Sequence, residues 1–292
     1  MLFLYSLISS PVACSHSACA AIYLIFIYVV YQKKSNYFKL ELLIEHNANT
    51  STPNQNYATI FSMITIQENA LFIADAHYPT HGDALLEILY RIDVGEIATP
   101  QLFLMGDIFD LLVGGLDKSY ALNEEAIKLI ESISTHTDIF YFEGNHDFQL
   151  KKIFKNIKIS SREEQPQYMG YNGFIVGLSH GDRFDSGWKH DLLSRILRKS
   201  FILSIIKWLK PSIVEQKRTH LSSKDICVEI PAFETKAKAI FDSYRGAYWV
   251  IEGHYHQGKK YDRYISLPSL ACQKQVAVMG KDGIVFMDSK AL

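Results

Sequence analysis

Five short polar motifs in this sequence could do chemistry, and each one directly follows an apolar run. They are Asp75-Ala-His77, Gly106-Asp107-Ile-Phe-Asp110, Gly144-Asn145-His146-Asp147, His180-Gly-Asp182 and Gly253-His254-Tyr-His256. An isolated Asp-x-His or Gly-Asp segment is common in turns and indicates little. Two histidines separated by one residue serve few structural purposes, and five such motifs in succession exclude chance. The set therefore predicts one site that is assembled from five loops.

The side chains of these motifs are typical metal ligands. Neutral imidazoles and carboxylates without thiolates suit Mn²⁺, Fe or Zn²⁺. One carboxylate shared by two cations can hold them about 3.5–4 Å apart, the separation found in two-metal phosphoryl-transfer sites. Such a pair lowers the pKa of a bound water and neutralises charge on phosphate oxygens. The residue types thus favour metal-assisted hydrolysis of a phosphoester.

Short strands are expected to position these motifs. The preceding apolar runs are rich in β-branched or aromatic residues, as inner strands are, and they cover 71–74, 102–105, 139–142, 174–178 and 248–251. Apolar residues at helical spacing over 82–92 and 120–133 separate the first three runs, which predicts an α/β fold with parallel strands. Ligands of such sheets gather beyond the carboxyl ends of the strands. Residues 275–287 alternate around Gly280 and Gly283 and predict a closing hairpin.

The composition is that of a globular protein. The chain has 292 residues, of which 48% are hydrophobic and 21% charged, with a net charge of −1. These values exclude a disordered, collagen-like or polytopic membrane protein, and the balanced charge does not indicate a nucleic-acid partner. The cysteines Cys14, Cys19, Cys227 and Cys272 form neither a disulfide scaffold nor a CxxC zinc pattern. Reduced thiols in a cytosolic protein are expected.

The first 62 residues differ from the remainder and allow several interpretations. Residues 12–31 contain no Asp, Glu, Lys or Arg, and a helix of this length can span a bilayer. Lys33 and Lys34 follow at once, so an inserted helix would keep its C-terminal side in the cytoplasm. Residues 47–56 read as a polar linker. The favoured hypothesis is that Met63 is the natural start and that 1–62 are an upstream extension; in both cases the domain 63–292 faces the cytoplasm.

The order of the five motifs resembles that of the calcineurin-like metallophosphoesterases. The resemblance implies a four-layered α/β/β/α sandwich. It implies two metal ions, one held by Asp75, His77, Asp107 and His256, and the other by Asp107 as a bridge with Asn145, His180 and His254. It further implies that His146, held by Asp110, contacts the phosphate and protonates the leaving oxygen.

A basic and apolar insertion follows His180. Residues 183–224 contain ten basic and three acidic residues, a net charge of +7. Within them, 191–209 read as a helix with an apolar face and most Arg and Lys elsewhere. Such a helix could simply pack on the domain with a solvated basic side. The favoured interpretation is a lid that covers lipid chains and lies on an anionic membrane surface.

This insertion resembles that of the UDP-2,3-diacylglucosamine pyrophosphatases of lipid A synthesis, although this chain has His146 where the better-known group has Arg. The resemblance implies Mn²⁺, a lipid-linked UDP-sugar as substrate, and UMP and 2,3-diacylglucosamine 1-phosphate as products. It implies work at the cytoplasmic face of the inner membrane, peripheral or anchored through 12–31, with no nucleic-acid or protein partner. Hypothetical contacts to phosphate or headgroup are Arg183, Lys189, Arg195 and Arg198. The alternatives are another dinuclear phosphoesterase, such as a nucleotide phosphodiesterase or a protein phosphatase, and a catalytically inactive interaction module.

Overall fold

A computed structural model describes residues 63–183, 198 and 225–292. The strands are β1 (Leu71–Ile73), β2 (Gln101–Leu104), β3 (Leu112–Val113), β4 (Asp138–Phe142), β5 (Asp147–Phe148), β6 (Lys158–Ser160), β7 (Gln167–Tyr171), β8 (Phe174–Ser179), β9 (Trp249–Glu252), β10 (Lys259–Tyr261), β11 (Tyr264–Ser266), β12 (Gln275–Gly280) and β13 (Gly283–Asp288). The α-helices are α1 (Ala84–Asp93), α2 (Asp117–Ala121), α3 (Glu124–Ile133) and α4 (Phe233–Ser243).

The first large sheet has the order β13-β12-β1-β2-β4-β6. Its strands β1, β2, β4 and β6 run parallel, with Leu71 opposite Leu102 and Leu102 opposite Ile139. Helix α1 connects β1 to β2, and α3 precedes β4, so the predicted alternation of strands and helices is confirmed. The predicted closing hairpin is also confirmed, because β12 and β13 pair antiparallel through Gly280 and Gly283.

The second sheet has the order β10-β11-β9-β8-β7. Strands β8, β9 and β11 run parallel, and the outer strands β7 and β10 are antiparallel to their neighbours. The polar motifs that follow β8 and β9 therefore leave the sheet at the same edge. A short parallel pair, β3 with β5, adds a third, two-stranded sheet.

Three apolar clusters show that the elements form four layers. Leu71 and Ile73 of β1 face the side of the first sheet that α1 and α3 cover, whereas Phe72 points to the opposite side, as alternation along a strand requires. Between the sheets, Phe72 stacks on Phe103 with ring centroids 4.4 Å apart. On the far side, Phe233 of α4 packs with residues of β9 and β11. Fully burying such side chains stabilises the fold by about 1.5–3 kcal/mol each, and the predicted α/β/β/α order is confirmed.

Two local features differ from the sequence-based expectations. The helix expected over 120–133 is divided into α2 and α3, because the Asn123 side chain donates hydrogen bonds to the carbonyls of Leu111 and Ser119 and holds a break there. The expectation of reduced thiols is wrong for one pair of cysteines. Cys227 and Cys272 form a disulfide with a Cα–Cα distance of 5.3 Å.

Several expectations lie outside the described residues. These are the extension 1–62 with its candidate membrane segment 12–31, and the predicted lid 183–224 apart from its first residue and Arg198. Within the part of the chain that the structure describes, no helix combines the length and apolarity needed to cross a bilayer.

Candidate metal centre

Five strand ends deliver the predicted ligands to one place. The loops after β1, β2, β4, β8 and β9 carry the five motifs, and these strands are parallel within their sheets. Two compact groups of ligand atoms result. We name Asp75, His77 and His256 the first cluster, and Asp107, His180 and His254 the second cluster. Within each cluster the candidate ligand atoms lie within 4.8 Å of one another.

The first cluster contains a buried nitrogen that points to a missing partner. His256 Nε2 lies 3.2 Å from Asp75 Oδ1, whereas His77 Nε2 is buried and has no hydrogen-bond partner among the described residues. Burial lowers the pKa of His77 to about 3, against the opposing effect of the Asp107 carboxylate. His77 therefore keeps a neutral ring at physiological pH, which is the form that ligates metals. An orphaned buried nitrogen beside a carboxylate fits a metal ligand.

The second cluster places an imidazole against a carboxylate. His180 Nε2 lies 3.5 Å from Asp107 Oδ2 and 3.3 Å from Asn145 Oδ1, so the predicted ligand Asn145 lies beside this cluster. Burial alone would lower the pKa of His180, but the Asp107 carboxylate outweighs it and raises this pKa to about 10. Burial would raise the pKa of Asp107, but the neighbouring His146 and His180 lower it well below its ordinary value.

The backbone at the strand ends is bent to aim these ligands. Five candidate ligands have a positive φ between 46° and 63°, a conformation that is uncommon outside glycine; they are Asp75, His77, Asp107, His254 and His256. Such strain collects at functional sites. Two glycines allow the close approach. A Cβ on Gly106 would lie 2.4 Å from His180 Nδ1, and one on Gly144 would lie 2.2 Å from Asp107 Oδ1.

Asp147, to which sequence reasoning gave no role, supports the second cluster from behind. Its fully buried carboxylate accepts hydrogen bonds from the backbone N–H groups of Asp107, Ile108 and Gly144 at 3.1, 2.8 and 2.8 Å. The Tyr141 hydroxyl donates a fourth, at 2.7 Å. The only signal in the sequence was its place at the end of the Gly-Asn-His-Asp motif.

Other outer contacts fix the imidazole rings. His180 Nδ1 lies 2.9 Å from the Met105 carbonyl, and the backbone N–H of His180 donates to Gln165 Oε1 at 2.7 Å. His256 Nδ1 lies 2.8 Å from the carbonyl of Ile226. A carbonyl can only accept, so in both rings Nδ1 carries the hydrogen and Nε2 is the candidate ligand atom.

His146 lies beside both clusters, but Asp110 holds it differently from the expectation. His146 Nδ1 lies 2.9 Å from the backbone carbonyl of Asp110, not from its carboxylate, which instead accepts the N–H of Thr80 at 3.0 Å. His146 Nε2 lies 3.9 Å from Asp107 Oδ2. Its ring centroid is 4.9 Å from that of His77. The His146 side chain therefore lies next to the candidate metal ligands, and the backbone carbonyl of Asp110 orients it.

Of the four predicted substrate contacts, two are described. Arg183 donates to the Gln165 carbonyl at 2.5 Å. Arg198 is buried, and its guanidinium contacts Gly144, Glu143 and Asp182. Lys189 and Arg195 lie outside the described residues.

Comparison with known proteins identifies curated relatives. The chain is 29% identical over 154 residues to a UDP-2,3-diacylglucosamine hydrolase of Psychromonas ingrahamii, covering 50% of this chain and 61% of that protein. It is 22% identical over 196 residues to one of Salmonella paratyphi B, covering 64% of this chain and 81% of that protein. The match thus spans less than two thirds of the Psychromonas protein. No family model matches the chain.

Solved structures give weaker similarity. A dimetal phosphatase from Danio rerio aligns with a TM-score of 0.38 and 14% identity, covering 77% of this chain and 95% of that one. A predicted phosphoesterase from Streptococcus pneumoniae aligns with a TM-score of 0.35 and 12% identity, covering 76% and 90%. Scores this low identify neither fold nor function. The five motifs thus meet in two groups of candidate ligands, and the chain is similar in sequence to curated UDP-2,3-diacylglucosamine hydrolases.

Proposed function

We propose that this protein hydrolyses the pyrophosphate of UDP-2,3-diacylglucosamine, giving UMP and 2,3-diacylglucosamine 1-phosphate, with two Mn²⁺ ions. The observation that carries the proposal is the pair of adjacent nitrogen and oxygen clusters at the strand ends. Two clusters around one interior carboxylate suit phosphoryl transfer. The names of the curated relatives direct the proposal to this substrate.

The residues would divide between the two ions as the ligand clusters do. Asp75, His77 and His256 would hold one ion, His180, His254 and Asn145 the other, and Asp107 would be shared. When bound, such a pair supplies a water that is acidic near neutral pH and offsets charge on the phosphate oxygens. Hard carboxylate and amide oxygens together with imidazoles suit Mn²⁺.

The bond changes follow from the products. The water oxygen would bond to the α-phosphorus, the bond from that phosphorus to the bridging oxygen would break, and the lipid phosphate would leave with the electron pair. His146 is the group placed to assist. Because its Nδ1 is held by the Asp110 carbonyl, Nε2 is the atom that would contact a phosphate oxygen and protonate the leaving group.

The basic insertion would bring the enzyme to its lipid substrate. We place the protein at the cytoplasmic face of the inner membrane, either peripheral or anchored through 12–31, with 183–224 as a lid over the acyl chains. The net charge of +7 in this stretch favours binding to anionic lipid. Lys189 and Arg195 are offered as headgroup contacts. Sedimentation with vesicles that contain phosphatidylglycerol, compared with phosphatidylcholine alone, measures this preference.

A single assay tests the reaction. Purified protein with Mn²⁺ is given UDP-2,3-diacylglucosamine, UDP-N-acetylglucosamine or bis-p-nitrophenyl phosphate, and the products are identified by mass spectrometry. We expect UMP from the diacylated substrate alone, with ¹⁸O from labelled water appearing in UMP. Turnover of only the artificial ester would replace the proposal with another phosphoesterase activity, and no turnover of any ester would favour an interaction module.

A further inference from the structure

Arg198 connects the insertion to the loops that carry the second cluster. It is 9% exposed, although it comes from the basic stretch 183–224. Its Nη2 donates to the Gly144 carbonyl at 2.6 Å and lies 3.6 Å from Asp182 Oδ2. Its Nη1 lies 3.8 Å from Glu143 Oε2. One guanidinium therefore reaches both the loop before Asn145 and the loop after His180.

The same residue is held at two further points. Its backbone carbonyl accepts a hydrogen bond from the Gln149 side chain. Its guanidinium carbon lies 5.0 Å from the centre of the Phe148 ring, a cation–π distance. Arg198 is thus fixed at its main chain and at its charged end, and every described contact is with protein groups near residues 143–149 or with Asp182.

The groups that Arg198 contacts are themselves part of the scaffold of the second cluster. Gly144 donates its N–H to Asp147 while its carbonyl accepts from Arg198, so the turn before Asn145 is held on both sides. Asp182 also accepts from Arg162 Nε at 2.6 Å. Two arginines thus face two buried carboxyl groups, those of Asp182 and Glu143.

We infer that Arg198 is a positioning residue that fixes the Asn145 loop against the His180 loop and thereby sets the geometry of the second cluster. The inference rests on the proposed two-metal function. A planar fork can serve a carbonyl and two carboxylates at once, whereas a lysine ammonium acts as a point charge. Losing the arginine would leave Glu143 and Asp182 with less compensation and Gly144 with an unpaired carbonyl.

The test compares Arg198→Met and Arg198→Lys with the wild-type protein in the absence of substrate. Mn²⁺ binding to metal-free protein is measured by titration calorimetry, and amide exchange over 143–150 by mass spectrometry. In Arg198→Met we expect the second-cluster Mn²⁺ to bind about tenfold or more weakly, with faster exchange, while first-cluster binding stays within about twofold. Arg198→Lys should give a smaller loss. Arg245→Met, an exposed arginine after α4, is the matched control.

Two results would overturn the inference. One is unchanged binding of both Mn²⁺ equivalents with unchanged exchange in Arg198→Met or, if that variant does not fold, in Arg198→Lys. The other is a rise in KM for the UDP-sugar with unchanged Mn²⁺ binding, which would assign Arg198 to the substrate. Failure of the proposed function is separate, because it would show as wild-type protein that binds two ions but does not release UMP.

Discussion

The two ligand clusters are held in different ways. The second cluster is supported from within the sandwich, where Asp147 gathers three backbone N–H groups and Gln165 and Met105 fix the His180 backbone and ring. The first cluster is supported by two loop residues. The Ser269 hydroxyl donates to the Asp75 carbonyl at 2.8 Å, and His256 Nδ1 donates to the carbonyl of Ile226, which lies just after the insertion.

The second cluster is therefore supported by buried residues beside the sheets, whereas the first cluster also depends on residues of connecting loops. His180 is fully buried, and its partners Met105 and Gln165 are buried residues that lie next to β2 and β7. His256 depends on Ile226, a residue outside the sheets. We therefore expect the second cluster to form with the fold, and the first cluster to respond to changes around residues 226 and 272.

The largest expected effect comes from the residue that would serve both clusters. Asp107→Ala should abolish hydrolysis and lower the metal content of both clusters, because the carboxylate that we propose as the bridge is removed together with its charge. Metal analysis of the purified variant, beside the substrate assay, measures both losses. Asp242→Ala, an exposed carboxylate of α4, should behave as wild type. Wild-type turnover in Asp107→Ala would contradict the site assignment.

His146→Ala should separate catalysis from metal binding. The ring lies beside both clusters but is not assigned to either ion, so both ions should be retained while turnover falls roughly 10²–10⁴-fold, as for removal of a general acid. The exposed His136 provides the matched control, His136→Ala. Loss of either ion in His146→Ala would instead make His146 a ligand.

Mn²⁺ binding to the second cluster should depend on pH. The metal-free pKa of His180 is raised to about 10, so below that pH its ring holds a proton that the cation must displace. Second-cluster affinity should therefore rise about tenfold per pH unit, or about 100-fold between pH 7 and 9. In the first cluster, burial lowers the pKa of His77 to about 3, so the competing proton there comes from His256, whose pKa burial would lower but the Asp75 carboxylate raises. Calorimetry in buffers of different ionisation enthalpy counts the released protons, and His180→Gln should flatten the slope.

The smallest effects should separate the two kinds of support. Asp147→Ala leaves three N–H groups and a hydroxyl unpaired, so the free energy of unfolding should fall by about 3 kcal/mol or more. Ser269→Ala removes the hydrogen bond to the Asp75 carbonyl and the one that Ser269 accepts from the Cys272 N–H, and it should cost about 1–2 kcal/mol. Denaturant titration of the metal-free proteins measures both. A larger loss in Ser269→Ala would reverse the comparison.

The motifs and the strand order were predictable because they depend on local sequence. Apolar runs of four or five residues predict inner strands, and a polar motif after each run marks the edge where ligands meet. The role of Asp147 was not predictable, because two of its three backbone donors lie about 40 residues away in the chain. The spacing of Asp110 and His146 likewise could not tell a carboxylate contact from a carbonyl contact, and only the folded geometry distinguishes them.

The pairing of Cys227 with Cys272 was also beyond the sequence, since 45 residues separate them. Because a disulfide can be reduced, the redox conditions of the solution can act directly on the first cluster. Cys272 Sγ lies 3.6 Å from His256 Nδ1, and Cys227 is the neighbour of the carbonyl on which that ring rests. A thiol reagent added during purification would reduce this disulfide. Protein prepared with and without such a reagent should therefore differ in the affinity of the first cluster for Mn²⁺.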